Sequence, residues 1–457
     1  MTDEWKPFFK NSVGLTGVTD ENVNDKANDY VSKLKDSTLV AFATKASNWA
    51  QTKANNITAD ATATVSADAS NGKYTATFTG LGYGYYVVAV PGATLANAKS
   101  QYATLVSVHS TKVDADIKGD LPTVDKKVQV DGTGKDATDA KIGDTLTFTL
   151  TSTIPDMSAY DTYTFNFKDT LSKGLTFGQV KSVKVENVTL TENTDYTVTT
   201  PTASNNNTLT VAMKDFKTKQ QANAGKKITV TYTATLNENA VVGGAGNVNS
   251  AKIQYSNNPS TNGTGESEPS KVRVFTYGFT VDKYTGDQYT DAATRLAGAE
   301  FTLAHKDGSA ISFVQVSAGS ATANAVYRVA KAGETGTTTI TTPANGKVVF
   351  EGLENGEYTL TETKAPAGYN KLASAIGVKV NGQNDGTDTT NATVTITYNN
   401  DNGNDYNQTA SNGVIPVQNK SGAILPGTGG MGTIAFTVIG VLVIALGVAW
   451  TLKRKNA

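Results

Sequence analysis

Ile228–Leu236 reads ITVTYTATL, Thr145–Thr151 reads TLTFTLT and Ala392–Tyr398 reads ATVTITY. Each is a short run rich in Thr, Val, Ile, Tyr and Phe, bounded by Asn, Gly, Asp and Ser. That composition and that punctuation describe β-strands. Such runs recur at even spacing along most of the chain, which is the mark of an all-β protein built from sandwiches. One stretch reads differently. Ala41–Ala54 (AFATKASNWAQTKA) is a run of helix formers, with Asn55–Asn56 as its expected stop. Boundaries are expected near Lys118–Pro122 (KGDLP) and within Ser256–Glu268 (SNNPSTNGTGESE), where apolar periodicity lapses. The resulting division is 1–118, 119–271, 272–421 and a tail, 422–457.

Composition narrows the function. The 457 residues carry 40 Lys+Arg against 41 Asp+Glu, a formal net charge of −1, so there is no basic footprint for nucleic acid. Without cysteine there are no disulfides, thiolate metal sites or thiol nucleophiles. The two histidines, His109 and His305, lie far apart, and no catalytic triad is visible. The loop Asn399–Asp405 (NNDNGND) lacks the downstream Glu of a calcium loop. Gly427, Gly429 and Gly432 fit a dinucleotide-type glycine pattern only formally, because a long apolar run follows them rather than a βαβ unit. No enzyme, metal or cofactor is expected. Trp5 reads as terminal, Trp49 as core and Trp450 as an interfacial anchor.

The tail carries a location signal. Thr433–Leu452 (TIAFTVIGVLVIALGVAWTL) is uncharged and long enough to span a bilayer as a helix, and Lys453, Arg454 and Lys455 follow at once. The basic cluster should stay cytoplasmic, which puts everything before the span outside. The start, MTDEWKPFFKNSVGL, has no apolar core of a signal peptide, so a true N-terminus upstream of this sequence is expected.

An internal repeat links the first and third domains. Ala76–Val90 (ATFTGLGYGYYVVAV) and Val348–Glu362 (VVFEGLENGEYTLTE) share Gly-Leu, two residues, Gly, one residue, Tyr and an alternating strand. A shared topology by duplication follows, with Val90 at the position of Glu362.

In the third domain, strand parity directs three polar side chains inward. Lys283 shares a face with Phe279 and Val281, Glu362 with Tyr358 and Leu360, and Asn419 with Ile415 and Val417. Burying Lys and Glu is costly unless they pair or neutralise each other. Desolvation would leave a neutral Lys283 amine beside a protonated Glu362. The acid can then polarise the Asn419 carboxamide while the amine attacks its carbon and ammonia leaves. The product is an amide joining the first and last strands of the domain.

Two motifs turn this chemistry into a resemblance. Tyr358–Tyr369 (YTLTETKAPAGY) resembles the E-box of Gram-positive surface proteins with collagen-adhesin B-type domains, and Leu425, Pro426, Gly427, Thr428 and Gly429 form LPGTG, similar to a sortase sorting signal. With its middle domain, the chain resembles a sortase-assembled pilus backbone subunit over almost its full length. The resemblance implies tandem Ig-like (collagen-adhesin B-type) β-sandwiches followed by a transmembrane helix. It also implies cleavage between Thr428 and Gly429 with Thr428 as the acyl intermediate, and isopeptide roles for Lys283, Glu362 and Asn419.

The middle domain repeats the pattern. Lys126 shares a face with Val124 and Val128; Asp169 with Tyr163, Phe165, Phe167 and Leu171; Asn249 with Ala251, Ile253 and Tyr255. The segments DLPTVDKKV, FKDTLSKGLTF and GNVNSAKIQYSNNP resemble the corresponding strands of backbone pilins. On that basis Lys126 is the amine, Asp169 the acid and Asn249 the acceptor. Lys127, outward by parity, and Asn247, on the inward face, are the rivals. Val90 cannot act as an acid, so no such bond is expected in the first domain.

Polymerisation in such proteins needs a lysine in a Val-x-Val-Tyr-Pro-Lys type of motif. The nearest stretch here is Val106–Lys112 (VSVHSTK), which makes Lys112 the expected linking residue and Lys118 its alternative. The expected function is a structural pilus subunit on the cell wall. Its implied partners are housekeeping and pilus-class sortases, identical subunits head to tail, tip or basal minor pilins, and peptidoglycan. A monomeric wall-anchored adhesin is the alternative.

Overall fold

The computed structural model describes the chain except for residues 65, 69–72, 91–102, 116–121, 159, 258–262, 290–293, 384–392, 401–402, 404 and 423–457. The sorting signal, the expected membrane span and Lys118 therefore lie outside the described residues.

The threonine-rich runs are strands. Thr145–Thr153 and Lys227–Leu236 lie side by side, antiparallel, with Thr149 opposite Thr231 and Phe148 opposite Tyr232. They are central in a six-stranded sheet that also holds Asp125–Val130 and Leu175–Val185. A seven-stranded sheet faces it, with Thr208–Met213, Phe165–Leu171, Asn247–Ser256 and Ser270–Phe275 as consecutive neighbours. Burial along Phe165–Leu171 alternates strictly, as expected for a strand with one face on a core. The second sandwich pairs a five-stranded sheet containing Tyr277–Tyr284 and Val414–Gln418 with a six-stranded sheet containing Glu300–His305 and Gly356–Lys364. Its first and last strands run parallel, with Lys283 opposite Val417.

Two features of the division differ from expectation. Within the expected boundary segment, Thr264–Glu266 pairs with Asn247–Ser256 and so belongs to the first sandwich. Asn, Gly and Ser mark turns within a domain as readily as gaps between domains. The strand Ser270–Phe275 also runs across the 271/272 division and pairs wholly within the seven-stranded sheet; the passage to the next sheet is at Thr276.

The first unit departs further. Its described residues hold three α-helices where one was expected, Lys6–Asn11, Val23–Ser32 and Asp36–Gln51, packed with the antiparallel pair Gly84–Ala89 and Ala103–Val108. Val23, Ala27 and Val31 recur every fourth residue and are buried, so this helix is held by its packed face. Its Asn, Asp and Ser content gives it little intrinsic propensity. The third helix starts five residues before Ala41 and ends at Gln51. A 3-10 turn, Lys53–Asn55, and a left-handed Asn56 (φ 49°) follow it. Trp5 is more than terminal: its ring lies 5.5 Å from that of Trp49, and both pack on Phe8.

The repeated turn has the same local geometry in both copies. The Tyr86 hydroxyl donates to the Gly82 carbonyl (3.1 Å) and the Tyr358 hydroxyl to the Glu354 carbonyl (2.7 Å), four residues back in each case. Gly80 and Gly352 both take left-handed φ, 77° and 82°. In the second copy the turn also joins the sandwiches. Ile142 N–H donates to the Gly352 carbonyl (3.0 Å) and Asn355 N–H donates to Asp139 (2.7 Å); outside the turn, Lys331 also pairs with Glu238 (2.5 Å).

Candidate functional site: two buried lysine, carboxylate and asparagine clusters

In the first sandwich, Lys126 projects from Asp125–Val130 into the space between the sheets, while Asp169 and Asn249 project from adjacent strands of the opposite sheet. Antiparallel pairing sets Asp169 opposite Ala251 and Asn249 opposite Leu171, which puts the carboxyl and the carboxamide on one inner face. All three side chains have no exposed surface. The Lys126 Nζ ion-pairs with Asp169 Oδ2 and lies 5.2 Å from the ring centres of both Phe148 and Tyr232. It also donates to the Tyr232 hydroxyl (2.9 Å). That hydroxyl donates to Asp169 Oδ2 (2.6 Å) and accepts from Asn249 Nδ2 (2.6 Å). Asp169 Oδ1 and Asn249 Oδ1 are buried without a hydrogen-bond partner among the described residues.

The second sandwich holds its cluster differently. Lys283 and Asn419 belong to neighbouring parallel strands, and Asn419 N–H donates to the Tyr284 carbonyl (3.0 Å) as the last strand ends. Glu362 comes from the facing sheet, opposite Phe301. Lys283 Nζ is 3.0 Å from Glu362 Oε1 and 5.6 Å from the Phe301 ring centre. The angles of that ion pair do not make a hydrogen bond, which leaves Lys283 Nζ and Glu362 Oε1 without one, and Asn419 Oδ1 is likewise buried without a partner among the described residues. Asn419 Nδ2 donates directly to Glu362 Oε2 (3.0 Å) and to the Asn370 carbonyl (2.8 Å), and Leu372 N–H braces the same Glu362 oxygen (2.8 Å).

Burial pushes both amines down, Lys126 to about 8 and Lys283 to about 8, against the opposing pull of Asp169 and Glu362. Burial also pushes the Tyr232 phenol well up, and the neighbouring Asp169 adds to the effect. An amine that gives up its proton this readily is a nucleophile in waiting.

The rivals are otherwise engaged. Lys127 is half-buried on the outer face and pairs with Asp136 (2.6 Å) and Asp125 (3.4 Å). Asn247 is inward and buried, but both ends of its carboxamide are taken. It accepts from Val241 N–H (2.9 Å) and donates to the carbonyls of Val241 and Val274 (3.1 Å each). Val90 is half-buried at the end of its strand, where Glu362 stands in the other copy. Lys112 is exposed just past the hairpin, 3.4 Å from Asp114. His109 is exposed and contacts the Ser107 carbonyl (3.0 Å), and His305 packs against the Tyr358 ring.

Sequence reasoning missed two participants. Tyr232 sits on the inward parity of its strand, and a buried hydroxyl needs a partner, so parity could have flagged it. Buried Asp282, held by Arg295 (2.6 Å) and the Tyr289 hydroxyl (2.9 Å) on the far side of the Lys283 strand, breaks the alternation and left no signal.

Comparison with known families gives three matches. Residues 142–259 match the Gram-positive pilin backbone subunit 2, Cna-B-like domain; residues 287–395 match the SpaA prealbumin-like fold domain; residues 417–457 match the LPXTG cell wall anchor motif. Over 279 residues the chain is 26% identical to the trypsin-resistant surface T6 protein of Streptococcus pyogenes serotype M6, covering 55% of this chain and 44% of that relative. The chain thus spans less than half the length of the curated relative it matches. Among solved structures, the T6 backbone pilin of Streptococcus pyogenes serotype M6 is similar at a TM-score of 0.47 and 18% identity, over 86% of this chain and 91% of that one. The 35 kDa C-terminal fragment of the major pilin GBS80 of Streptococcus agalactiae is similar at a TM-score of 0.47 and 24% identity, over 66% and 100%.

Proposed function

We propose that this chain, which carries a Gram-positive pilin backbone domain, a prealbumin-like domain and an LPXTG wall anchor, is a structural subunit of a covalently polymerised cell-surface pilus. Its chemistry is self-directed. In each sandwich the lysine and the carboxyl share one proton; in the productive form the acid holds it and the amine is free. The amine nitrogen then attacks the asparagine Cγ. The new C–N bond forms, the bond to Nδ2 breaks, one amine proton passes by way of the carboxyl to Nδ2, and ammonia leaves. Lys283 with Asn419 and Glu362, and Lys126 with Asn249 and Asp169, carry these roles.

The observation that supports the reading is the pair of clusters itself. Each buries a lysine against a carboxyl and leaves carboxyl and carboxamide oxygens unpartnered among the described residues. Each such orphan costs roughly 1–3 kcal/mol, and a buried ion pair seldom repays its desolvation. Turning the lysine into a neutral amide removes the buried charge.

Assembly follows the same logic outside the molecule. A sortase cleaves between Thr428 and Gly429 and holds Thr428 as an acyl enzyme, and the exposed Lys112 amine of the next subunit resolves it. Subunits join head to tail, a minor pilin caps the shaft, and the last acyl group passes to peptidoglycan. An immunoblot of muramidase-released wall material, boiled in denaturant, tests this. A high-mass ladder is expected from wild type. One band alone would mean a monomeric wall-anchored adhesin.

A further inference from the structure

The geometry points to the Tyr232 hydroxyl as a proton relay between Asp169 and Asn249, an inference that rests on the isopeptide reading of the first sandwich. The two clusters solve the same problem with different parts. In the second, Glu362 Oε2 touches the Asn419 carboxamide directly at 3.0 Å. In the first the acid is an aspartate, one methylene shorter, and its contact with the carboxamide runs through a phenol. Asp169 Oδ2 to Tyr232 Oη is 2.6 Å, and Tyr232 Oη to Asn249 Nδ2 is 2.6 Å. The Lys126 amine meets the same two oxygens. An unbroken path therefore runs from the attacking nitrogen, through acid and phenol, to the leaving nitrogen.

The proton count closes along it. As the Lys126 Nζ–Asn249 Cγ bond forms, one proton leaves Nζ for Asp169 Oδ2. Asp169 passes a proton to the Tyr232 oxygen, and the Tyr232 hydroxyl passes its own to Nδ2. The Cγ–Nδ2 bond breaks and ammonia departs, with Asp169 and Tyr232 in their starting protonation states. Tyr232 also fixes the approach. Its ring stacks on Phe148 with centres 5.3 Å apart, and the lysine nitrogen lies 5.2 Å from each ring centre. A hydroxyl held this rigidly costs little to reorganise during the transfer.

The test follows bond formation in the full chain made by cell-free translation, quenched in acid at intervals and read by mass of the cross-linked peptides. Tyr232→Phe is expected to slow the Lys126–Asn249 bond by roughly a hundredfold, the scale of a lost general acid. The Lys283–Asn419 bond in the same molecules should keep its wild-type rate. The second variant copies the second sandwich: Tyr232→Phe with Asp169→Glu lengthens the acid to reach Asn249 directly, and should restore the bond to within tenfold. Amide-exchange protection of the strand Lys227–Leu236 reports folding in every variant. A wild-type rate in Tyr232→Phe overturns the relay. So does a folded double variant that stays unlinked, or loss of strand protection in both variants, which would make the role one of packing. A wild-type chain with no Lys126–Asn249 bond removes the isopeptide reading itself.

Discussion

Lys126 and Lys283 have no exposed surface, and each lies beside one carboxyl and one carboxamide. Residue chemistry alone then makes two predictions. Intact mass of the folded chain should fall short of the sequence mass by two ammonia equivalents. Glu362→Gln and Asp169→Asn should each restore one, and a variant still short by two would sink its assigned acid. The second concerns pH. Burial lowers both amines to about 8, so below that value each lysine–carboxyl pair keeps its one shared proton. Above it the amine has already given up its proton and the pair has none left to activate the carboxamide. Bond formation, timed by quenched mass spectrometry, should be level through neutral pH and fall about tenfold per pH unit beyond about 8. A rate that climbs steadily toward pH 10 would mean an ordinary exposed amine. The lysines, acids and asparagines were legible because alternation assigns each residue a face. The relay through Tyr232 was not, because several aromatic residues share that inward parity and only the stacking of the two sheets selects one.

At the scale of elements, the turn that opens the strand Gly356–Lys364 does two jobs. It reverses the chain with a left-handed Gly352 (φ 82°), and it seats Ile142 of the preceding sandwich. A Cβ at Gly352 would come within 2.6 Å of the Ile142 side chain. Gly352→Ala therefore combines backbone strain with a clash, and should cost about 1–3 kcal/mol. Thermal unfolding should show the loss, and limited proteolysis should cut faster between the sandwiches. Wild-type behaviour in both would mean that the seat yields freely. The duplication of this turn was legible in the Gly-Leu and Gly-x-Tyr spacing, since the tyrosine hydroxyl closes the same five-residue loop at 82–86 and 354–358. The helices before it were harder to read. Val23–Ser32 is short and rich in Asn and Asp, and packing rather than propensity holds it.

For the whole molecule, the two amides would tie strands separated by more than a hundred residues of chain. Closing loops of that size removes about 5 kcal/mol of unfolded-state entropy per bond. Asn249→Ala with Asn419→Ala should unfold at much lower guanidinium concentration than wild type, and equal midpoints would deny the bonds any mechanical purpose. In the cell, Lys112→Ala should collapse the ladder to one band. A ladder that survives it and disappears with Lys118→Ala would move the link to the other lysine and keep the shaft. By itself the sequence determined that most of this chain is strand, that two lysines, two acids and three asparagines (Asn247 among them) face inward, and that the tail carries an anchor motif. These are local properties, fixed by the period-two geometry of extended backbone and by short motifs. Only the tertiary structure decided which inward residues meet. It set Lys126 against Asp169, linked Asp169 to Asn249 through a tyrosine, committed Asn247 to a loop, and packed helices on a strand pair in the first unit. Register between strands and the offset between facing sheets arise from pairings between residues far apart in the chain, and alternation within one strand carries no record of them.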